Sequence, residues 1–214
     1  MATNMLPRLI IVEIVILTVQ AALYVGCEYL QHNHRDVKRD IDDRIPLVPY
    51  SAFVYIMWFP LIALYPIALF FLSRYDYSVY QVSIIICALV SPIIYIIFPT
   101  TFERPVLGNS NGEKFLSIVY SFDFKGSNCA PSMHCVQCFI IIISVCTCPN
   151  LHGIAALLII CLCIGIIVST LLTKQHVVLD VVTALPTAIL MYAAAHAIVG
   201  HFGYTQILSL FGLQ

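Results

Sequence analysis

The sequence predicts an all-α integral membrane protein, a bundle of about six transmembrane helices, on three observations. The 214 residues are 61% hydrophobic and 10% charged, with a mean hydropathy of +0.95, whereas a soluble domain is about half apolar and about a quarter charged. Six apolar segments stand out, at roughly 8–26, 52–72, 79–98, 134–148, 151–172 and 177–199. Each is close to the ~20 residues that cross a bilayer, except the shorter fourth. The remaining residues are connections, too short for a soluble domain, so residues 1–214 are expected to form one polytopic membrane domain. Ten Lys and Arg against eleven Asp and Glu give a formal net charge of −1. That lacks the basic surplus of a nucleic-acid binder, and membrane lipids are the expected surroundings.

The first segment follows Arg8 and imitates a signal peptide, but Glu13 and Gln20 interrupt it and no small-residue cleavage pattern follows, so it reads as a retained span. Glu13 and Gln20 are seven apart on one helical face and are expected to pack inward against a neighbour. The connection from Glu28 to Pro49 mixes both charges and reads as a solvated interfacial loop. Trp58 and the tyrosines near span ends fit an aromatic belt. The third connection, after residue 98, is long enough to be functional and carries the turn residues Asn109-Ser110-Asn111-Gly112. Pro149-Asn150-Leu151-His152-Gly153 reads as a tight turn joining the fourth and fifth segments in an antiparallel hairpin. The last twelve residues read as an amphipathic tail on the membrane surface. The nine cysteines lie mostly in apolar runs and read as small buried side chains, Cys135 and Cys138 included. His32, His34, His152, His196 and His201 read as loop or packing residues.

Two places concentrate polar residues at helix ends, where burial is costly unless the groups are paired. One is Ala130-Pro131-Ser132-Met133-His134 at the mouth of the fourth segment. The other is Thr173-Lys174-Gln175-His176-Val177-Val178-Leu179-Asp180 entering the sixth. The chain between the two histidines is long enough for two crossings of ~20 residues, so both return to one membrane face. The loop with Arg104 and Pro105 reaches that face as well. His176 and Asp180 are spaced i, i+4, which lets the carboxylate orient the imidazole if the helix begins by residue 176.

Pro131 to His134 (PSxH), His176 to Asp180 (HxxxD) and the preceding Arg104-Pro105 resemble, in order and membrane depth, the three motifs of the type 2 phosphatidic acid phosphatase superfamily. Asp43 to Tyr50 and Thr173-Lys174-Gln175-His176 resemble the branch grouped with inositol phosphorylceramide synthases. The resemblance covers about residues 40–200. It implies a lipid phosphate substrate, with His176 as nucleophile, Asp180 holding its tautomer and His134 as general acid. It further implies a phosphate cradle for which Arg104, Ser132 and Lys174 are the candidates. It calls for no metal and no cofactor, and no cluster has the ligand spacing of a zinc site.

The sequence departs from the superfamily's pattern at two cation positions, occupied here by Ile97 and Thr170. Lys174 is the candidate replacement for one, and Lys114 or Lys125 for the other. The resemblance implies either hydrolysis, as a lipid phosphate phosphatase, or transfer to a lipid alcohol. A scaffold or transporter subunit without turnover is the rival class. Most Lys and Arg lie on the catalytic face, which the positive-inside rule assigns to the cytoplasm, while the resemblance implies the opposite side.

Overall fold

In a bilayer every backbone N–H and C=O must be bonded within the protein, and apolar helices do this segment by segment. The structure, a computed structural model, describes residues 5–122 and 126–214. Helix α1 is Met5–Glu28 and α2 is the single turn Asp40–Arg44. The second span, Pro49–Leu72, is composite, with α3 (Ala52–Tyr55) and α4 (Trp58–Leu72) following a short 3₁₀ turn. After α5 (Arg74–Ile97) come α6 (Asn111–Phe122), α7 (Met133–Thr147), α8 (Gly153–Leu172), α9 (Val178–Phe202) and α10 (Tyr204–Leu210). Five of these segments are long and apolar enough to cross a membrane, namely α1, Pro49–Leu72, α5, α8 and α9. The protein is therefore a multi-pass integral membrane protein, close to the six-helix bundle expected.

Helix α7 has 15 residues, about 22 Å at the α-helical rise, short of the ~30 Å hydrocarbon core. It sits as a central post against α5, α8 and α9, with Cys135, Val136, Cys138, Ile140 and Ile141 fully buried. Its neighbours, more than lipid, are its surroundings. All nine cysteines are free thiols.

The α-helix is interrupted between α3 and α4, where Pro60 has no N–H to donate one turn back. The hydrogen bonds there tighten, Met57 N–H to the Val54 carbonyl at 3.1 Å and Phe59 N–H to the Ile56 carbonyl at 3.2 Å. Tyr55 and Trp58, on either side of the interruption, are buried, only 5% and 7% exposed. Trp58 is thus a core residue, correcting the aromatic-belt expectation.

Glu13 and Gln20 do pack inward. Glu13 Oε1 accepts from the Tyr77 hydroxyl at 3.1 Å and from Gln81 Nε2 at 2.7 Å, tying α1 to α5. Gln20 Oε1 accepts from Gln137 Nε2 of α7 at 2.7 Å. Replacing Glu13 by Ala is expected to destabilise the protein by about 1–3 kcal/mol, the scale of stranding buried polar partners. Glu13→Gln keeps the acceptor and should remain near wild type. Melting in detergent checks this, and an unchanged midpoint for Glu13→Ala would contradict it.

Two connections carry more structure than expected. The first is more than a solvated loop: β1 (Arg35–Asp36) pairs in parallel with β2 (Thr100–Thr101), and Val37 and Asp42 are buried. The long third connection contains α6, where Ser110 and Glu113 cap the helix reciprocally, Glu113 N–H donating to Ser110 Oγ at 3.3 Å and Ser110 N–H to Glu113 Oε2 at 3.1 Å. The Ser110 hydroxyl, donating to Glu113 Oε2, and then the Gly108 and Ser110 N–H groups hold the Glu113 carboxyl below its ordinary value. The C-terminal segment packs against α5 and α9, burying Ile207, Leu208 and Leu213.

Candidate active site

Helix α9 begins at Val178, so His176 lies just before the helix rather than on it. The pairing with Asp180 nevertheless forms, because Asp180 occupies the first turn, where a carboxylate accepts from unbonded N–H groups. Its Oδ2 takes the Val177 N–H at 3.0 Å and lies 3.0 Å from His176 Nδ1. An ionised carboxylate only accepts, so Nδ1 carries the proton and Nε2 presents its lone pair. Asp180 is fully buried and His176 is 5% exposed. The backbone beneath is equally fixed, with Gln175 and His176 N–H both donating to the Thr170 carbonyl, at 3.0 and 3.1 Å.

His134 stands in the first turn of α7, which Ser132 caps by accepting the Cys135 N–H at 3.3 Å. The Ser132 N–H donates to the Asp180 carbonyl at 3.2 Å, and the Tyr95 hydroxyl to the Pro131 carbonyl at 2.7 Å. These bonds fasten the His134 turn to the start of α9 and to α5. The imidazole lies against Trp58 and Tyr55, with ring centroids 4.2 and 4.8 Å away, and its centroid is 5.8 Å from that of His176. Two histidines far apart in sequence thus face each other at one mouth of the bundle. Ser132 has its N–H and its Oγ lone pair engaged in this scaffold and is fully buried, so its visible role is to place His134.

Beside His176 opens a cleft of about 220 Å³ lined by Lys38, Asp42, Asp43, Glu103, Arg104 and Lys174, with Ile45, Val106 and Leu171 among its apolar wall. Arg104 Nη2 donates to Gln175 Oε1 at 2.6 Å, and the guanidinium lies over the Tyr120 ring at 4.8 Å. The Tyr120 hydroxyl, pushed up to about 12 by burial against the opposing pull of Arg104, donates to the Thr173 carbonyl at 2.6 Å. Lys38 pairs with Asp43 at 2.6 Å on the cleft lining.

Lys174 lines the cleft but is occupied as a strap. With φ at +54°, it sends its ammonium to the carbonyls of Asp42 and Ile45, each at 2.6 Å. Asp42 in turn accepts the Val178 N–H at 2.8 Å and the Arg39 N–H at 2.8 Å. The first loop is thereby tied to the turn carrying His176. Burial pulls the Lys174 ammonium below its ordinary value, opposed by Asp42 and Asp43.

At the two departed cation positions, Ile97 is 60% exposed on the bundle surface and Thr170 is buried, its hydroxyl donating to the Ile167 carbonyl at 2.7 Å. Lys114 is exposed on α6 and does not line the cleft. Lys125 lies outside the described residues. Sequence reasoning missed Gln175, Asp42, and the Tyr55 and Trp58 rings. Only Gln175 had a visible signal, a polar residue beside His176 at a depth where polarity needs a reason. Among the described residues, no group of three His, Cys, Asp or Glu is placed to hold a metal ion. Comparison of the chain with family models, curated proteins and solved structures finds no match.

Proposed function

We propose that the protein is a membrane-embedded lipid phosphate phosphatase working through a phosphohistidine. The observation that carries this reading is the oriented pair His176–Asp180, 3.0 Å apart, facing His134 beside a cleft that holds Arg104. Ile45, Val106 and Leu171 on the cleft wall suit a substrate whose acyl chains stay in lipid while its phosphate reaches the histidines.

In the first step the Nε2 lone pair of His176 attacks phosphorus and the bond to the lipid oxygen breaks. The departing oxygen takes a proton from His134, whose ring, packed against Trp58 and Tyr55, takes up that proton only once the anionic phosphate lies beside it. Asp180 stabilises the positive charge that grows on His176. In the second step His134, now neutral, takes a proton from water as the water oxygen attacks phosphorus. The P–N bond breaks, its electron pair returns to His176, and inorganic phosphate leaves. Charge on the equatorial oxygens falls to Arg104.

The test is release of inorganic phosphate from phosphatidic acid and related lipid phosphates by the purified protein in detergent, beside His176→Ala. Equal release by both would sink the reading, and with it the case against a scaffold. The assay is repeated with diacylglycerol or ceramide as acceptor, and free phosphate should remain the main product. Label moving mainly into an acceptor-dependent phospholipid would make the protein a phosphotransferase with the same residue roles. Because the nucleophile and the acid are both side chains, turnover is expected to persist in EDTA. A loss restored by a divalent ion would contradict that.

A further inference from the structure

We propose that Gln175 is a positioning residue, holding Arg104 where a phosphate oxygen meets it; this rests on the phosphate-site reading above. Gln175 is 1% exposed, and its side chain makes one hydrogen bond among the described residues, the 2.6 Å bond that Oε1 accepts from Arg104 Nη2. Its Nε2 is buried with no partner among those residues. An amide N–H sealed away without an acceptor costs stability. Gln175 is therefore poorly explained as a packing residue, and the contact with Arg104 is what its amide accomplishes.

The backbone supports the same assignment. Gln175 and His176 N–H groups share the Thr170 carbonyl, so the amide that grips Arg104 and the imidazole of His176 project from one rigid turn. Arg104 comes from a loop more than seventy residues earlier, and a long flexible side chain of this kind loses rotamer freedom when it binds. Gripping it beforehand removes part of that loss. The Tyr120 ring, 4.8 Å away, braces the guanidinium face, while Gln175 fixes its edge. Thr170, at a position where a cation was expected, contributes its carbonyl to this turn.

The experiment measures orthovanadate binding by calorimetry in detergent for wild type, Gln175→Met, Arg104→Met and the double variant, with melting temperatures. Methionine keeps the length of glutamine and removes both amide atoms. Each single variant should bind about tenfold more weakly. The double variant should be no weaker than Arg104→Met alone, because Gln175 acts through Arg104. Gln175→Met loses the bond from Arg104 together with a buried unpaired N–H, so its melting temperature serves to show that the variant is folded. Wild-type affinity in either single variant, additive losses in the double, or no binding by wild type would each overturn the proposal. Turnover is read separately. A wild type that binds orthovanadate with this pattern yet releases no phosphate from lipid would refute the phosphatase reading and leave Gln175 as the holder of Arg104.

Discussion

His176→Ala is expected to lower phosphate release by about 10⁴-fold to 10⁶-fold, the scale on which loss of a covalent nucleophile acts. The fold should survive, because Asp180 Oδ2 keeps the Val177 N–H at 3.0 Å and the turn keeps its bonds to the Thr170 carbonyl. Rapid quenching with radiolabelled lipid phosphate separates the step from binding. Wild type should carry protein-bound label that is stable in alkali and lost in acid, as a phosphoramidate is. His176→Ala should carry none while still binding orthovanadate. Label on the variant at the wild-type level would assign the nucleophile elsewhere.

Asp180→Asn is expected to reduce turnover by about 10⁴-fold, the scale of the same substitution at the carboxylate that orients a catalytic histidine elsewhere. The carboxylate accepts two N–H groups at 3.0 Å, from Val177 and His176. Both bonds fall on the same oxygen, Oδ2, so an asparagine oxygen in that place keeps the geometry while the negative charge beside His176 is lost. In the proposed mechanism the positive charge that grows on His176 as Nε2 bonds to phosphorus then has no counter-charge beside it. Measuring kcat and KM for Asp180→Asn should show the loss in kcat, with KM within about threefold. A loss confined to KM would instead place Asp180 in substrate binding.

Much of the fold was legible because apolar length is a local property. The six segments read from composition match α1, the Pro49–Leu72 span, α5, α7, α8 and α9 within a few residues. Helix α6 escaped because Asn109 to Gly112 looked like a turn, although Ser110 followed three residues later by Glu113 is a capping box that was there to be read. The histidine pairing was legible for a topological reason, since two crossings return the chain to its starting face. The strap made by Lys174 was hidden because its partners are the carbonyls of Asp42 and Ile45, some 130 residues away, and nothing in the neighbouring sequence announces them. The β1–β2 ladder was hidden for the same reason. It joins two short stretches from distant loops by backbone bonds that carry almost no side-chain pattern.

Trp58 is the single tryptophan of the chain, and its ring lies 4.2 Å from the ring of His134. Indole emission is quenched by a protonated imidazole in contact and spared by a neutral one. The protein therefore carries its own optical probe at the proposed proton donor. A fluorescence titration of the unlabelled wild type, with His134→Phe as the control that no longer titrates there, reads the charge of that one imidazole. The same signal followed in a stopped-flow mixing experiment times the loss and recovery of its proton during a single turnover.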